Sequence, residues 1–490
     1  MLWYCLSIDF CQIHISLYRQ VFNKAKENRT KMSSIDNRKM FTTTQIIMIS
    51  FLAAIIIGGL ILTLPCMSAD GKRTVFPDAL FTATTSVCVT GLVTVSTASH
   101  WSTLGHIIIL ILIQIGGMGT ITLVTMGSVV MRRRIPLGER LLIKDAFNMD
   151  TTVHMVHFLR NAFFGILTVE AAGALLYSFN FIPIFGIWRG IWYSIFHSIS
   201  AFCNAGIDII GNNSLVPYAG NIGINLITMS LIILGGLGFT VWWELLDLFK
   251  NRILRLFNKH RNRISSPLSH HTKVVLTMTA ALIFIAAAAY WLFEHNNPLT
   301  IGQEPLGIQL MECLFESVST RTAGFATFSQ KGLLFSSVML TVILMFIGGS
   351  PTGTAGGIKT TTAAVLFLEL KSVIQGEGDA VCFRRRIPRG TVRKAFAVFC
   401  ISAAAGCIAV LLLYLMQPGQ AGDIVFEVFS ALGTVGLTRD FTPLLELPGK
   451  ILIIICMYLG RVGPISIMLA LTAKESKSRS RYVDGNIRVG

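Results

Sequence analysis

Four segments of this chain carry one short signature at a nearly constant spacing, and this repetition limits the folds open to it more than any other feature. Their glycines at positions 91, 206, 324 and 436 are 115, 118 and 112 residues apart. The four signature segments are Val89, Thr90, Gly91, Leu92; Asn204, Ala205, Gly206, Ile207; Thr322, Ala323, Gly324, Phe325; and Thr434, Val435, Gly436, Leu437. A period of this length is too long for a solenoid repeat. It predicts one membrane module made four times around an axis.

Composition favours a membrane protein. The 490 residues are 53% hydrophobic and 13% charged, with a mean hydropathy of +0.65, which excludes a disordered chain and is unusual for a soluble one. Apolar runs long enough to cross a bilayer occur at 45–65, 104–130, 156–178, 222–246, 274–293, 333–347, 395–416 and 450–472. We therefore predict an all-α integral membrane fold with eight transmembrane helices, in four pseudo-symmetric helix–pore helix–helix repeats around a central pore. Each pore helix is too short to cross and re-enters from one side.

The repeats divide the chain into six parts. They are an N-terminal extension (1–40), four pore repeats (41–145, 146–265, 266–390 and 391–473) and a C-terminal tail (474–490). The first twenty residues lack the basic start and small-residue cleavage site of a signal peptide. We expect either a cytoplasmic surface segment there or a translation start at Met32 or Met40.

The net charge of +16 lies between the repeats and at the termini, in clusters at 24–39, 132–144, 250–273, 384–394 and 474–488. By the positive-inside rule, both termini and all inter-repeat loops face the cytoplasm, and the four short helices enter from outside. Such a charge is also typical of nucleic-acid binding, but no aromatic interleaving or nucleic-acid fold pattern accompanies it. We expect membrane lipid as a partner and no nucleic acid.

The backbone geometry of an ion filter would explain why each signature segment contains a glycine. An ion leaves water only if something replaces its hydration shell, and backbone carbonyls do so without burying a net charge. Aiming successive carbonyls at one axis needs a backbone conformation that glycine permits at little steric cost. The short helix before each glycine would point its partially negative C-terminal end at a cation. The alternative is that these glycines only allow close helix packing.

Acidic side chains flank the predicted filter. They are Asp78, Asp208, Glu312, Glu316, Asp423 and Glu427. They either raise the local cation concentration at an outer mouth, or cap the short helices and pair with Arg321, Arg439 and Lys450. We prefer the structural role for Glu312 and Glu316 and leave both readings open for the others.

The second helix of the third repeat is interrupted by a glycine-rich loop. Its residues are Gly348, Gly349, Ser350, Pro351, Thr352, Gly353, Thr354, Ala355, Gly356 and Gly357. Such a stretch cannot remain helical, and unpaired backbone at membrane depth is tolerated only inside protein or along a wet cavity. The loop resembles a phosphate-binding loop, but Ile358 separates Gly357 from Lys359 and no strand precedes it. We predict that it lies in the pore beneath the filter.

Arg461 lies about 12 residues into an apolar span, too deep to reach either surface easily. The free carbonyls of the glycine-rich loop are its expected partners. We predict that Arg461 and this loop form the intracellular barrier to ions. The alternative is that Arg461 only ties the fourth repeat to a neighbour.

These motifs resemble the Trk/Ktr/HKT superfamily of cation transporters, closest to the KtrB-type membrane subunit of bacterial potassium uptake systems. The resemblance covers about nine tenths of the chain, from residue 41 onward. It rests on VCVTGL, FCNAGI, TRTAGF and GTVGLT, on GGSPTGTAGG and on LGRVG. It implies potassium uptake across a bacterial plasma membrane, a homodimer, and a cytosolic RCK-type nucleotide-binding subunit, similar to KtrA or TrkA, that controls the gate. Gly91 is glycine where some sodium-preferring plant relatives have serine, so the resemblance implies K⁺ selectivity.

Three alternatives compete with this interpretation. A sodium-permeable or sodium-coupled transporter of the same superfamily differs only in the ion. A proton-driven secondary transporter predicts inverted repeats and ionisable residues at membrane depth, whereas these repeats run in one sense and, apart from Glu170 and Arg461, the spans carry little charge. An enzyme is excluded by the absence of a nucleophile or metal-ligand constellation in the sequence. We expect no bound cofactor and no metal beyond the transported K⁺.

Overall fold

The computed structural model describes residues 43–119, 155–211, 213–257 and 268–463, and most of them are helical. We number the helices α1 Thr43–Leu62, α2 Phe76–Cys88, α3 Thr97–His100, α4 Thr103–Met118, α5 Met155–Phe185, α6 Ile187–Cys203, α7 Ile222–Leu237, α8 Phe239–Phe257, α9 His270–Glu294, α10 Leu306–Ser319, α11 Phe335–Phe346, α12 Thr360–Ile374, α13 Arg389–Met416, α14 Ala421–Gly433 and α15 Leu447–Val462. Strands β1 Val381–Cys382 and β2 Arg385–Arg386 form a small antiparallel hairpin. The predicted terminal parts 1–40 and 474–490, and the predicted boundaries at 145 and 265, lie outside these residues.

Four helices are long and apolar enough to cross a membrane: α1, α5, α9 and α13. Helices α7 and α8 would together make a fifth, but they are bent by 106° at Gly238, whose φ of +89° suits glycine. The second apolar run of each repeat is shorter or broken as far as the structure describes it, and parts of 104–130 and 450–472 lie outside the described residues. The eight-span architecture therefore stays a prediction.

The element order repeats four times. Each long helix is followed by a shorter helix that leads into a signature segment (α2, α6, α10, α14), and then by a second helix (α4, α7, α11, α15). The predicted short helices are thus present. Helices α2, α6 and α14 end where the chain enters a left-handed conformation, at Val89 (φ 55°), Asn204 (58°) and Thr434 (52°), whereas α10 ends at Ser319, before the left-handed Thr322 (74°).

Packing between the repeats follows one rule. The second helix of each repeat contacts the short helix of the next: α4 with α6, α7 with α10, α11 with α14, and α15 back with α2. Because the last pair joins the end of the chain to its beginning, these contacts close into a ring.

Within three of the repeats, glycines let the second helix pack closely against the short helix of the same repeat. Gly116, Gly235 and Gly460 touch the backbone carbonyls of Val87, Phe202 and Leu432, near the C-terminal ends of α2, α6 and α14. A side chain at any of these positions would overlap the facing oxygen. Small residues allow helix backbones to approach this closely.

Candidate functional site

The four signature segments meet at one place and surround each other. Each signature glycine faces the carbonyl oxygen of the residue that precedes the glycine in another repeat: Gly91 faces Ala205, Gly206 faces Ala323, Gly324 faces Val435, and Gly436 faces Thr90. A Cβ added at Gly206 or Gly324 would lie 2.5 Å from the facing oxygen. We call this closed set of contacts the signature ring.

The ring needs glycine for two reasons at once. All four glycines have a positive φ, from 62° at Gly206 to 105° at Gly91, and none has room for a side chain. In each segment the first and third residues are left-handed and the second is not. This alternation gives the four segments one shared backbone shape.

One hydroxyl on each short helix holds its signature segment in place. Thr85 Oγ1 accepts a hydrogen bond from the Gly91 amide at 2.9 Å, and Ser430 Oγ accepts one from the Gly436 amide at 3.1 Å. Ser200 Oγ accepts from the Ile207 amide at 3.1 Å and donates to the Ile207 carbonyl at 2.6 Å. Ser319 Oγ donates to the Phe325 carbonyl. These hydroxyls are site residues that motif reasoning missed, although each precedes its glycine by five or six positions.

Several polar atoms in the ring are buried without a protein partner among the described residues. At the first position of three segments, the Asn204 amide and the hydroxyls of Thr322 and Thr434 make no hydrogen bond. No hydrogen bond in this part of the chain ends on the carbonyl oxygens of Thr90, Ala205, Ala323 or Val435. Buried oxygens are normally satisfied, so this arrangement is suited to an occupant that accepts oxygen ligands.

Two carboxylates on the short helices bind the chain that leaves the ring. Glu427 accepts hydrogen bonds from Thr438 Oγ1 at 2.8 Å and from Thr442. At the corresponding place in the third repeat, Glu316 accepts one from Gln330 Nε2 at 3.0 Å. The expected capping or pairing of Glu312 and Glu316 with a basic side chain is wrong within the described residues: both are buried in the interior of α10, while Arg439 and Lys450 pair with Asp423 and Asp78. Arg321 contacts Thr279 instead, at 3.4 Å.

Two half-buried ion pairs join elements around the ring. Lys450 Nζ lies 2.6 Å from Asp78 Oδ1, which ties the fourth repeat to the first turn of α2. Arg439 lies 2.9 Å from Asp423 and also donates to the carbonyls of Gln330 and Lys331 in the third repeat. The structural role is therefore present for Asp78 and Asp423. Asp208 follows the second signature segment, and its Oδ1 atom is buried without a partner among the described residues.

The glycine-rich loop is not helical, as predicted, and it lies against the signature ring. The chain leaves α11 at Phe346 and becomes helical again at Thr360. Thr354 Oγ1 donates to the carbonyl of Phe202 at 3.2 Å, just before the second signature segment. A Cβ at Gly356 would overlap the Thr434 hydroxyl of the fourth segment.

The loop is also fastened to the second repeat. The amides of Ser350 and Thr354 donate to the carbonyls of Gly236 and Gly235, at 2.9 and 3.1 Å. These are carbonyls at the end of α7, which have no further helical partner because the chain bends at Gly238. The loop therefore occupies the hydrogen-bonding positions that a continuous helix would use.

Arg461 makes the contact expected of it and one more. Its guanidinium donates to the carbonyl of Thr354 in the loop and to the carbonyl of Gly116 at the end of α4. A second cation lies close by, since Lys359 Nζ donates to the carbonyl of Ala355 at 2.7 Å. Neither the Gly116 carbonyl nor Lys359 was predicted as part of this cluster, because both depend on how the repeats pack.

Apolar helices around a single closed backbone ring, with an arginine-tethered loop against it, define an integral membrane transport protein. The family model described as TrkH, cation transport protein, matches residues 12–482. The potassium/sodium uptake protein NtpJ of Enterococcus hirae is 36% identical over 449 residues, covering 91% of this chain and 96% of the relative. The Ktr system potassium uptake protein B of Bacillus subtilis is 36% identical over 450 residues, covering 92% and 97%.

A solved structure shows the same fold. The crystal structure of the potassium transporter TrkH from Vibrio parahaemolyticus superimposes with a TM-score of 0.68, over 89% of this chain and 86% of that chain, at 17% identity. The chain belongs to the TrkH family of cation transport proteins. It is therefore an ion transporter and not an enzyme, and the family resemblance inferred from its motifs is confirmed.

Proposed function

We propose that this protein takes up potassium ions along the axis of the signature ring. The observation that carries the proposal is the closure of the ring, in which four equivalent segments of one chain contact each other through their glycines and carbonyls. A dehydrated K⁺ needs oxygen ligands from all sides. A ring of four identical backbone shapes supplies them with no buried charge.

The electrostatics of the ring favour a cation. Each of the helices α2, α6, α10 and α14 ends at a signature segment, so four partially negative C-termini converge there. The unpartnered hydroxyls of Thr322 and Thr434 and the amide oxygen of Asn204 are further ligands at one end of the pathway. Among the first residues of the four signature segments, Val89 is the one with an apolar side chain.

The gate in this proposal is the glycine-rich loop with Arg461. Carbonyls of the loop and of α4 hold the guanidinium, so its positive charge lies next to the pathway and repels a cation. Displacing the loop would remove the obstruction and the tethered charge together.

The remaining features of the proposal follow from charge placement and from the relatives. The basic inter-repeat segments favour an orientation with both termini in the cytoplasm of a bacterial cell and the helix starts of α2 and α14 outside. The Ktr relatives are named as parts of potassium uptake systems. A homodimer and a cytosolic nucleotide-binding RCK subunit acting on the loop are the corresponding proposals for this chain.

The test is growth rescue of a bacterium that lacks potassium uptake, with Rb⁺ or K⁺ flux measured beside Na⁺ competition. A cytosolic regulatory subunit is supplied in a parallel strain. Rescue with weak Na⁺ competition is the expected result, and flux with and without a sodium gradient distinguishes symport from uptake driven by membrane potential alone. Strong Na⁺ competition would favour the sodium-permeable alternative suggested by the name of the Enterococcus relative, and failure of rescue in both strains would contradict the proposal.

A further inference from the structure

A cavity of about 860 Å³ lies away from the signature ring, between α8, α9, α12 and α13. One wall is formed by Pro351 and Thr352 of the glycine-rich loop. No signature residue lines it, so it is separate from the proposed ion pathway. Its volume is that of a typical small-molecule or lipid site.

Basic side chains line one part of this cavity. They are His270, His271, Arg386 and Lys394. Arg386 forms an ion pair with Asp379 at 2.9 Å, and Asp379 also pairs with Arg389 at 3.4 Å. One carboxylate is therefore shared by two guanidinium groups. Lys394 makes no ion pair among the described residues. The local charge is therefore positive and only partly compensated.

The one acidic residue that lines the cavity is already engaged. Glu244 Oε2 accepts a hydrogen bond from the Ser269 amide at 3.0 Å, at the start of α9. Helix N-termini stabilise a carboxylate. Glu244 thus belongs to the wall beside His271, and Arg386 and Lys394 are the cationic side chains left for an anionic occupant.

Apolar side chains line another part of the cavity, beside several threonines, and belong to helices with exposed apolar surfaces. Val365 and Leu368 of α12 and Val398 of α13 line the cavity. On the outer faces of the same two helices, Phe367 is 63% and Phe396 is 61% exposed, as expected for residues against hydrocarbon. An occupant with both an anionic group and a hydrocarbon chain fits this division better than a free inorganic anion does.

We propose that this cavity binds an anionic phospholipid, with its headgroup phosphate at Arg386 and Lys394 and an acyl chain along Val365, Leu368 and Val398. The inference rests on the proposed orientation, which puts the basic end of the cavity at the cytoplasmic membrane surface. Basic pockets between membrane helices on that side are suited to anionic headgroups.

The bound lipid would touch the glycine-rich loop at Pro351 and Thr352. Thr352 has a left-handed φ of 62°, its carbonyl accepts a hydrogen bond from the Phe239 amide at 3.4 Å, and its hydroxyl lies 3.3 Å from Thr240 Oγ1. Residues on both sides of this contact, Thr240 and Thr352, line the cavity. A lipid in this cavity would therefore contact the glycine-rich loop without contacting the signature ring, and lipid composition would act on the loop directly.

Native mass spectrometry of the full-length protein tests the proposal. Retention of phosphatidylglycerol is compared with that of phosphatidylcholine carrying the same acyl chains, and inorganic phosphate is added as a competitor. Two variants alter the cavity: Arg386→Ala with Lys394→Ala removes the headgroup contacts, and Leu368→Trp fills the apolar wall. Arg384→Ala with Arg393→Ala is the matched control, because these exposed basic residues of the same hairpin and helix do not line the cavity.

We expect selective retention of phosphatidylglycerol, a reduction of at least fivefold in both cavity variants, and no change in the control. Equal reduction in the control would mean attraction by bulk charge and would overturn the site. Loss in the double variant but not in Leu368→Trp, with displacement by inorganic phosphate, would indicate a phosphate site instead of a lipid site. Selective binding by a protein that fails to rescue growth would leave this inference standing while the proposed function fails.

Discussion

The half of the molecule around the signature ring repeats one construction four times, whereas the half around the glycine-rich loop does not. All four short helices lead into a segment whose first residue is left-handed, and each holds its segment through one hydroxyl. Three second helices end at a left-handed glycine (Gly119, Gly238, Gly463), but the third leaves its helix at Phe346 and forms the loop. In the proposed function, coordinating an ion involves all four repeats, whereas obstructing its path involves only the loop of the third.

The single loop nevertheless touches the whole assembly. It accepts and donates hydrogen bonds with the second repeat, packs against Thr434 of the fourth, and reaches Gly116 of the first through Arg461. The glycine-rich loop, which occurs in the third repeat, is therefore held by contacts with the other three repeats. The predictions below test whether the two halves can be changed separately.

The largest effect is expected from changing the ring. Serine at Gly91 or Gly324 has to adopt a left-handed φ of 105° or 77° and meet a facing carbonyl. Strain of about 1–2 kcal/mol corresponds to a loss of about tenfold in discrimination between K⁺ and Na⁺. Competition of Na⁺ with Rb⁺ uptake measures it, and Gly307→Ser, where nothing lies within 4 Å of an added Cβ, is the control. Unchanged selectivity in both variants would contradict the filter assignment.

The next effect concerns the loop half alone. Arg461→Ala removes the donors to Thr354 and Gly116, and hydrogen bonds from a charged group are each worth about 1.5–3 kcal/mol. We expect K⁺ flux to rise at least threefold with selectivity retained, measured as uptake into proteoliposomes. Arg393→Ala on the exposed start of α13 should leave flux unchanged. A flux equal to that of the wild type would mean that Arg461 only ties the repeats together.

A smaller effect is expected from the hydroxyls that hold the ring. Thr85→Val leaves the Gly91 amide without its acceptor, at a cost of about 1 kcal/mol. Selectivity for K⁺ over Na⁺ should fall by about fivefold, while Thr85→Ser should retain it. If valine and serine behave alike in the Na⁺ competition assay, the hydroxyl does not position the segment.

The smallest effect belongs to the ion pairs. Asp78→Asn disrupts the pair with Lys450, and partly exposed pairs contribute about 1 kcal/mol or less. The thermal midpoint should fall slightly, and less at high salt because the attraction is screened. Arg439→Ala should lower it more, since that side chain also donates to two carbonyls of the third repeat. Equal midpoints for the two variants would show that those two hydrogen bonds add nothing.

Features set by local backbone chemistry were predictable from the sequence. The glycines of the signature segments, the short helices before them and the break at 348–357 follow from what glycine and proline do to any chain. Thr85 and Ser430 were not recognised, because hydroxyls are common in apolar helices and only the fold shows which one faces an amide. The contacts of Glu316 and Glu427 were also missed, since they join residues that lie beyond the ring. Arg461 was recognised by its depth, but its second acceptor at Gly116 depends on repeat packing.

Closure of the ring also orders events during synthesis. The facing partners of Gly324 and of Thr90 are Val435 and Gly436, which leave the ribosome late, and Tyr458 then donates to the carbonyl of Met48 at 2.8 Å. A nascent chain with three repeats has three signature segments and no enclosed axis. Because the fourth repeat supplies both of the contacts that close the ring, a chain that lacks it keeps only the contacts of Gly91 with Ala205 and of Gly206 with Ala323, and its ring stays open on one side.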